Sequence, residues 1–168
     1  ARAGGAEVTI ERTKGFLSDH YDPRSKTLRL SEAVYDGKSV SAVAVAAHEA
    51  GHAIQDVKSY PWLRMRSNLV PATILGSNSW FIVFIMGLFM SFEPLMVIGV
   101  VLLGMTVVFQ LVTLPVEFDA SSRAKAVLTE AGIVVTDQER DGVASVLNAA
   151  AMTYVAGVIM SLMTLLYY

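Results

Sequence analysis

The chain of 168 residues contains no cysteine and only three histidines. The absence of cysteine excludes a disulfide framework, cysteine-ligated zinc, iron–sulfur clusters and thiol catalysis. Charged residues are also scarce, at 17% of the chain, whereas a typical soluble domain has about 25%. This composition excludes a disordered chain, a coiled coil and a collagen-like fibre. The formal net charge of -2 gives no excess of positive charge for a nucleic-acid partner.

Apolar residues, by contrast, make up 54% of the chain, and its mean hydropathy is +0.50. The few charges are unevenly distributed. Glu93 is the only charged residue within residues 67–116, and residues 142–168 contain none. A charge at the centre of a membrane helix costs about 3 kcal/mol on insertion scales. The uneven distribution therefore predicts membrane-spanning segments.

Three apolar segments are long enough for the roughly 20 residues of a transmembrane helix. They cover about residues 71–90, 95–114 and 149–168. Residues 91–94 predict a short turn, so the first two spans should form a hairpin. The alternative is a soluble all-α protein with very apolar helices. A chain of this length would then have to cover three such helices on all sides, which disfavours that alternative.

Basic residues predict the orientation, because Lys and Arg next to membrane spans remain in the cytoplasm. Six of them precede the first span or separate the second from the third: Lys58, Arg64, Arg66, Arg123, Lys125 and Arg140. The hairpin tip around Glu93 has no Lys or Arg. We therefore expect the tip of the hairpin and the C-terminus outside, and the polar segments inside.

The polar segments predict a small β-hairpin and several helices. Apolar and polar residues alternate at 8–13 and 27–30, and turn-forming residues at 18–25 separate these strands. We expect a helix from an N-cap at Ser39 to about Val57, and a polar helix over residues 117–131. A further helix starts at Thr136, where Glu139 completes the spacing of a capping box, and continues into the third span.

The predicted fold class is a mainly α integral membrane protein, with a zincin-like helix and a small β-hairpin on the cytoplasmic side. Four parts follow along the chain. Residues 1–66 form the cytoplasmic hairpin and helix, and residues 67–116 the transmembrane hairpin. Residues 117–148 form cytoplasmic helices, and residues 149–168 the last transmembrane helix.

The helix predicted after Ser39 contains an HExxH motif, with His48, Glu49 and His52. Residues four apart lie on one helix face, with Cβ atoms about 5–6 Å apart, so both imidazoles can bind one zinc ion. Glu49 can then take a proton from the attacking water. A half-buried His-Glu-His cluster has unmet polar groups unless something binds it. We therefore predict a catalytic zinc site, with a structural metal or an empty cluster as the alternatives.

Such a site needs a third protein ligand. The remaining histidine, His20, is one candidate, and the helical carboxylates Glu117, Asp119 and Glu130 are others. Glu117 directly follows the second predicted span and opens a helix at the membrane face assigned to the HExxH helix. We favour Glu117 for this reason, with Asp119 and His20 as the main alternatives.

Several motifs together resemble the bacterial membrane-bound neutral zinc metallopeptidases, the YugP-like family. They are HEAGHAIQD at residues 48–56, DHYDP at 19–23, LPVEF at 114–118, ASSRA at 120–124 and AAMTYV at 150–155. The resemblance covers nearly the whole chain and implies a gluzincin-like site. His48, His52 and Glu117 would be the zinc ligands, and Glu49 the catalytic base. It also implies an N-terminal transmembrane helix, so we expect the natural chain to begin before Ala1.

A more distant similarity is to the HtpX-type membrane proteases and the CAAX prenyl endopeptidases. In those proteins the glutamate ligand is followed four residues later by an aspartate, where this chain has Ser121. The group that orients a ligating histidine must then come from elsewhere. Asp56, one turn beyond His52, is a candidate, although it can equally be a residue of the helix surface.

These observations predict a zinc metalloendopeptidase at the cytoplasmic face of a bacterial cell membrane. Its partners would be membrane lipid and a peptide or membrane-protein substrate. The developing oxyanion needs a donor besides the metal, and Tyr154, His20 and Arg123 are candidates. Each also has a simpler role, as an interface anchor, a turn residue and a marker of the inner side, respectively. A substrate could pair with a strand edge at residues 8–12 or 27–30, although packing also explains these strands.

Two other functions are compatible with an HExxH helix in a membrane protein. A site-2-type intramembrane protease should have the motif inside a span together with a Leu-Asp-Gly motif. Here Lys38 and Lys58 flank the helix, and the sequence contains no Leu-Asp-Gly. The other possibility is a non-catalytic membrane protein with a structural metal site.

Overall fold

A computed structural model describes residues 1–167, which are mainly helical (74%). After a short 3-10 helix at Arg2–Gly4, the strands and α-helices are β1 (Thr9–Thr13), β2 (His20–Asp22), β3 (Thr27–Ser31), α1 (Glu32–Tyr35), α2 (Val40–Val57), α3 (Pro61–Phe89), α4 (Glu93–Glu130) and α5 (Asp137–Tyr167). The chain divides into two compact units. The first combines Ala1–Tyr60 with Val116–Met152, and the second combines Pro61–Pro115 with Thr153–Tyr168. The four-part division of the chain stays a prediction.

The small sheet of the first unit has three strands in the order β1-β3-β2. β1 and β3 are parallel, with Ile10 opposite Leu28, and β2 is antiparallel to β3, with Tyr21 opposite Leu28. The hairpin predicted between residues 8–13 and 27–30 is therefore wrong in its pairing. The segment interpreted as a turn contains β2, and β2 forms the hairpin with β3. Because β3 is the central strand, residues 27–30 offer no free edge to a substrate.

Side-chain caps begin two of the helices at the predicted residues. The Ser39 hydroxyl accepts a hydrogen bond from the backbone N–H of Ala42 at 3.1 Å, ahead of α2. Before α5, the Thr136 hydroxyl accepts from the N–H of Glu139 at 3.2 Å, and the Glu139 carboxylate accepts from the N–H of Thr136 at 3.0 Å. These reciprocal bonds form the capping box that the spacing predicted. The two helix starts are confirmed.

Helix α4 is longer than the sequence predicted. It runs without a break from Glu93 to Glu130, with Pro115 inside it, whereas we expected a span ending near residue 114 and a separate helix from Glu117. A proline removes one backbone donor and crowds the carbonyl four residues earlier. The intact turns on both sides of Pro115 maintain the helix. The predicted span and the predicted polar helix are therefore one element.

Helix α2 lies at the centre of the first unit and buries apolar residues on two faces. One face carries Ala44 and Ala47, which pack in a cluster with α4 and α5 side chains such as Leu128 and Leu147. The other face packs against the sheet, in a second cluster formed by Ala6, Leu28, Ala50, Ala53 and Ile54. Small side chains on α2 let its neighbours approach closely on both sides.

Helices α2 and α4 approach closely at Gly51. A Cβ atom on Gly51 would overlap the backbone carbonyl of Ala120, and Ala120 itself is completely buried. The two helix backbones are therefore in direct contact at this point, and only glycine fits on the α2 side.

The second unit contains long apolar stretches of α3, α4 and α5, and each of these helices is long and apolar enough to cross a membrane. Many of their large apolar side chains are exposed, as lipid-facing residues are expected to be. The helices α3 and α4 approach closely at Gly76, where a Cβ would lie 2.8 Å from the carbonyl oxygen of Leu102. Small residues allow such contacts between membrane helices. The three predicted spans are confirmed as candidate membrane-spanning helices.

We predict that Gly51→Ala lowers the midpoint of thermal unfolding in detergent. Alanine favours a helix over glycine by about 1 kcal/mol, but the added methyl would force α2 and α4 apart, and overpacking costs about 1–3 kcal/mol. Gly104→Ala is the matched control, because this glycine also lies inside a helix, α4, but has open space at its Cβ position. Its midpoint should stay the same or rise. An unchanged midpoint for Gly51→Ala would contradict the close contact.

Candidate metal centre

Helices α2 and α4 bring together three side chains that can bind a metal ion. Nε2 of His48 lies 3.1 Å from Oε2 of Glu117, and Nε2 of His52 lies 3.8 Å from Oε1 of the same carboxylate. One ligand atom from each of the three residues lies within 4.8 Å of the others. Glu117 is 1% exposed and His52 is 8% exposed, so the cluster is shielded from solvent.

The local geometry follows from helix periodicity and from the contact at Gly51. His48 and His52 lie one turn apart on α2, with ring centroids 4.8 Å apart and ring planes at 83°. On α4, Glu117 and Ser121 flank Ala120, at which the two backbones touch. The short distance between the backbones is what lets a glutamate side chain reach both imidazoles.

The donor set fits a zinc ion. Two imidazole nitrogens and one carboxylate oxygen form a common ligand set of catalytic zinc, which keeps a fourth position open. Both rings direct Nε2 towards Glu117, and their Nδ1 atoms contact other side chains. Nδ1 of His48 lies 3.2 Å from the Ser121 hydroxyl, and Nδ1 of His52 lies 3.0 Å from Oε1 of Gln55. Such contacts to the second nitrogen orient histidine ligands in metal sites.

The sequence did not predict the contacts that Gln55 and Ser121 make with the histidines. Gln55, rather than the neighbouring Asp56, contacts Nδ1 of His52. Asp56 instead accepts a hydrogen bond from the Tyr21 hydroxyl at 2.7 Å and pairs with Lys26. The sequence did contain a signal for the contact with Gln55, because residues three apart on a helix, such as His52 and Gln55, lie on the same face.

Asp119, an alternative third ligand, lies outside the group of three. Its carboxylate accepts a hydrogen bond from Nε2 of Gln55 at 2.8 Å and pairs with Arg123 one turn later. The Arg123 guanidinium also lies over the ring of Tyr60, 5.6 Å from its centroid, which is a cation–π distance. Asp119 and Arg123 thus extend the polar network away from the ligands.

The other predicted site residues are located on different elements. His20 is exposed on β2, with Nδ1 2.7 Å from the carbonyl oxygen of Ser18. Within residues 1–167, the cluster of potential ligands does not include it. Tyr154 lies on α5 in the part of the chain assigned to the second unit. The oxyanion roles of His20, Tyr154 and Arg123 stay predictions.

Glu49 is a buried carboxyl group beside the candidate ligands. Burial raises its pKa above the usual range, and the negative charge of Glu117 adds to this effect. His48 and the backbone N–H of Tyr21 oppose the rise. A carboxyl group with a raised pKa is better matched to proton transfer near neutral pH than an exposed one.

The chain belongs to the family described as "putative neutral zinc metallopeptidase", which matches residues 1–168. The chain is also similar to "Putative membrane protease YugP" of Bacillus subtilis (strain 168), with 44% identity over 162 residues, 96% of this chain and 72% of that protein. No solved structure matches the chain. The family resemblance inferred from the motifs is confirmed.

We predict that Glu117→Ala lowers zinc affinity more than about tenfold, because the site would lose one of three protein ligands. Competition with a chromophoric chelator measures this affinity. Glu130→Ala is the control, since Glu130 is an exposed carboxylate on the same helix and its removal should leave zinc affinity unchanged. Unchanged affinity in Glu117→Ala would instead favour Asp119 or His20 as the ligand.

Proposed function

We propose that the protein is a membrane-bound zinc endopeptidase in which His48, His52 and Glu117 hold the metal and Glu49 is the general base. The observation that carries the proposal is the convergence of both Nε2 atoms on the buried Glu117 carboxylate, with Glu49 buried on the same helix as the histidines. The description of the family and the name of the Bacillus subtilis relative, a membrane protease, support the same activity.

A zinc ion in this site would polarise the scissile carbonyl and make a water molecule acidic enough to attack it near neutral pH. Glu49 would accept the proton of the attacking water and pass it to the leaving amine. Ser121 and Gln55 would hold the two imidazoles in place during the reaction.

A peptide substrate could pair with the outer edge of β2. This strand has β3 on one side only, and extended peptides bind to such edges through main-chain hydrogen bonds. Tyr21 links the strand to α2, since its hydroxyl donates to Asp56 and its backbone N–H contacts Glu49. A substrate on this edge would therefore lie near the proposed base. For the oxyanion, His20, Arg123 and Tyr154 are the proposed donors.

We further propose that the site faces the cytoplasm of a bacterial cell, because the Lys and Arg residues cluster beside the spans on the side of the HExxH helix. Substrates would be peptides or membrane proteins that reach the membrane surface. Lipid would surround the three apolar helices.

We predict that Glu49→Gln retains zinc and lowers peptide hydrolysis about 10²–10⁴-fold, the usual contribution of a general base. The sequence and the structure do not specify which peptide is cleaved. A proteomic comparison of cells that carry the parent protein or the variant would identify the cleaved proteins. Purified protein would then be assayed on those peptides, with Glu130→Gln as a control that cleaves normally. Cleavage by Glu49→Gln at the parental rate would contradict the mechanism. No cleavage by the parent would favour a structural metal site.

The absence of cysteine makes the orientation directly testable by labelling. Single cysteines at Glu93 and at Asp137, whose side chain is 94% exposed, would be treated in intact cells with a membrane-impermeant maleimide. We expect labelling at position 93 only, with position 137 reacting after the cells are opened. Labelling at position 137 but not at position 93 in intact cells would show the opposite orientation and contradict the proposal.

A further inference from the structure

Gln55 is a completely buried polar side chain that contacts both helices of the metal centre. Its Nε2 donates one hydrogen bond to the backbone carbonyl of Val116 and one to the carboxylate of Asp119, both at 2.8 Å. Its Oε1 lies 3.0 Å from Nδ1 of His52. All three polar contacts of the amide are thus satisfied inside the protein, which a buried amide requires.

These partners determine which end of the amide faces His52. A carbonyl oxygen and a carboxylate oxygen are hydrogen-bond acceptors, so both must face the NH₂ group, which supplies two donors. The reversed amide would place Oε1 against the oxygens of Val116 and Asp119. The pairing of Asp119 with Arg123 keeps that carboxylate in place as an acceptor. Oε1 of Gln55 is therefore the atom that faces His52.

The orientation of Gln55 in turn determines the tautomer of His52. The amide oxygen is only an acceptor, so Nδ1 of His52 must carry the hydrogen. In a neutral imidazole the other nitrogen, Nε2, then has the lone pair. Nε2 is also the atom of His52 that faces Glu117, at 3.8 Å. The ring is thus in the form that can bind a metal through Nε2.

We propose that Gln55 is a positioning residue that holds His52 in its Nδ1–H tautomer before any metal binds. Through the carbonyl of Val116, it also anchors the backbone next to Glu117, so one side chain would position two of the three ligands. The proposal rests on the proposed function for the identity of the metal. The tautomer is a property of the metal-free protein.

Nuclear magnetic resonance tests the tautomer directly, because the ¹⁵N shifts of an imidazole distinguish its protonated nitrogen from the other one. The full chain, labelled with ¹⁵N-histidine and kept metal-free in detergent at slightly alkaline pH, contains three histidines. The variants His20→Gln and His48→Gln assign the signals. We expect His52 as Nδ1–H in the parent protein. His52 as Nε2–H in the parent would overturn the proposal without any variant of Gln55.

Gln55→Leu removes all three hydrogen bonds and fills the buried position with an apolar side chain instead. We expect His52 to populate the Nε2–H form in this variant and zinc affinity to fall about 10–100-fold, as for other groups that orient a ligand. Gln110→Leu makes the same chemical change on a different helix, α4, and should leave both measurements unchanged. If Gln55→Leu does not fold, Asp119→Leu removes one acceptor of the amide and should shift the tautomer in the same direction. A parental tautomer and parental zinc affinity in the folded variant would overturn the role of Gln55.

The results separate this proposal from the proposed peptidase activity. His52 as Nδ1–H, with zinc affinity that depends on Gln55 and no peptide cleavage by the parent, would support the positioning role and contradict the peptidase. Cleavage that depends on Glu49, with His52 as Nε2–H, would do the reverse.

Discussion

The direct backbone contact between α2 and α4 at Gly51 and Ala120 is the constraint on which the candidate metal centre depends. Glycine on one helix and alanine on the other let the axes approach closely enough for a glutamate to reach both histidines. The same contact brings Gln55 within hydrogen-bond distance of Val116 and Asp119. A larger side chain at the contact would separate all of these groups together, because they are carried by two rigid helices.

The polar groups at this contact are buried, and burial makes each of them costly unless it has partners. Glu117, His52 and Gln55 are all nearly or completely inaccessible to solvent. A chain of contacts runs outward from the ligands. His52 contacts Gln55, Gln55 donates to Asp119, and Asp119 pairs with Arg123, which is partly exposed. In a buried network of this kind the loss of one member leaves the others unsatisfied. The network therefore favours a single arrangement of the imidazoles.

The local features of the chain were predictable because they depend on neighbours along the sequence. Helix caps at Ser39 and Thr136 involve groups three residues apart, and the spacing of His48 and His52 places both on one helix face. The three apolar helices followed from the missing charges, since a long uncharged run needs no tertiary information to be recognised. The parallel pairing of β1 with β3 and the continuation of α4 through Pro115 were not predicted. The strand pairing depends on a contact between separate segments of the chain, and the helix continues because intact turns lie on both sides of the proline.

The sequence alone was enough to determine the family, the HExxH pattern and the three candidate spans, because each depends only on residue types and short spacings along the chain. Motif resemblance also singled out Glu117, although composition left Asp119 and His20 open. The tertiary structure decided which side chains meet. It brought Glu117 to the histidines across 69 residues of chain, and it placed Gln55, not Asp56, at His52. The physical reason is that these contacts depend on how closely two helix backbones pack, which residue spacing within either helix does not specify.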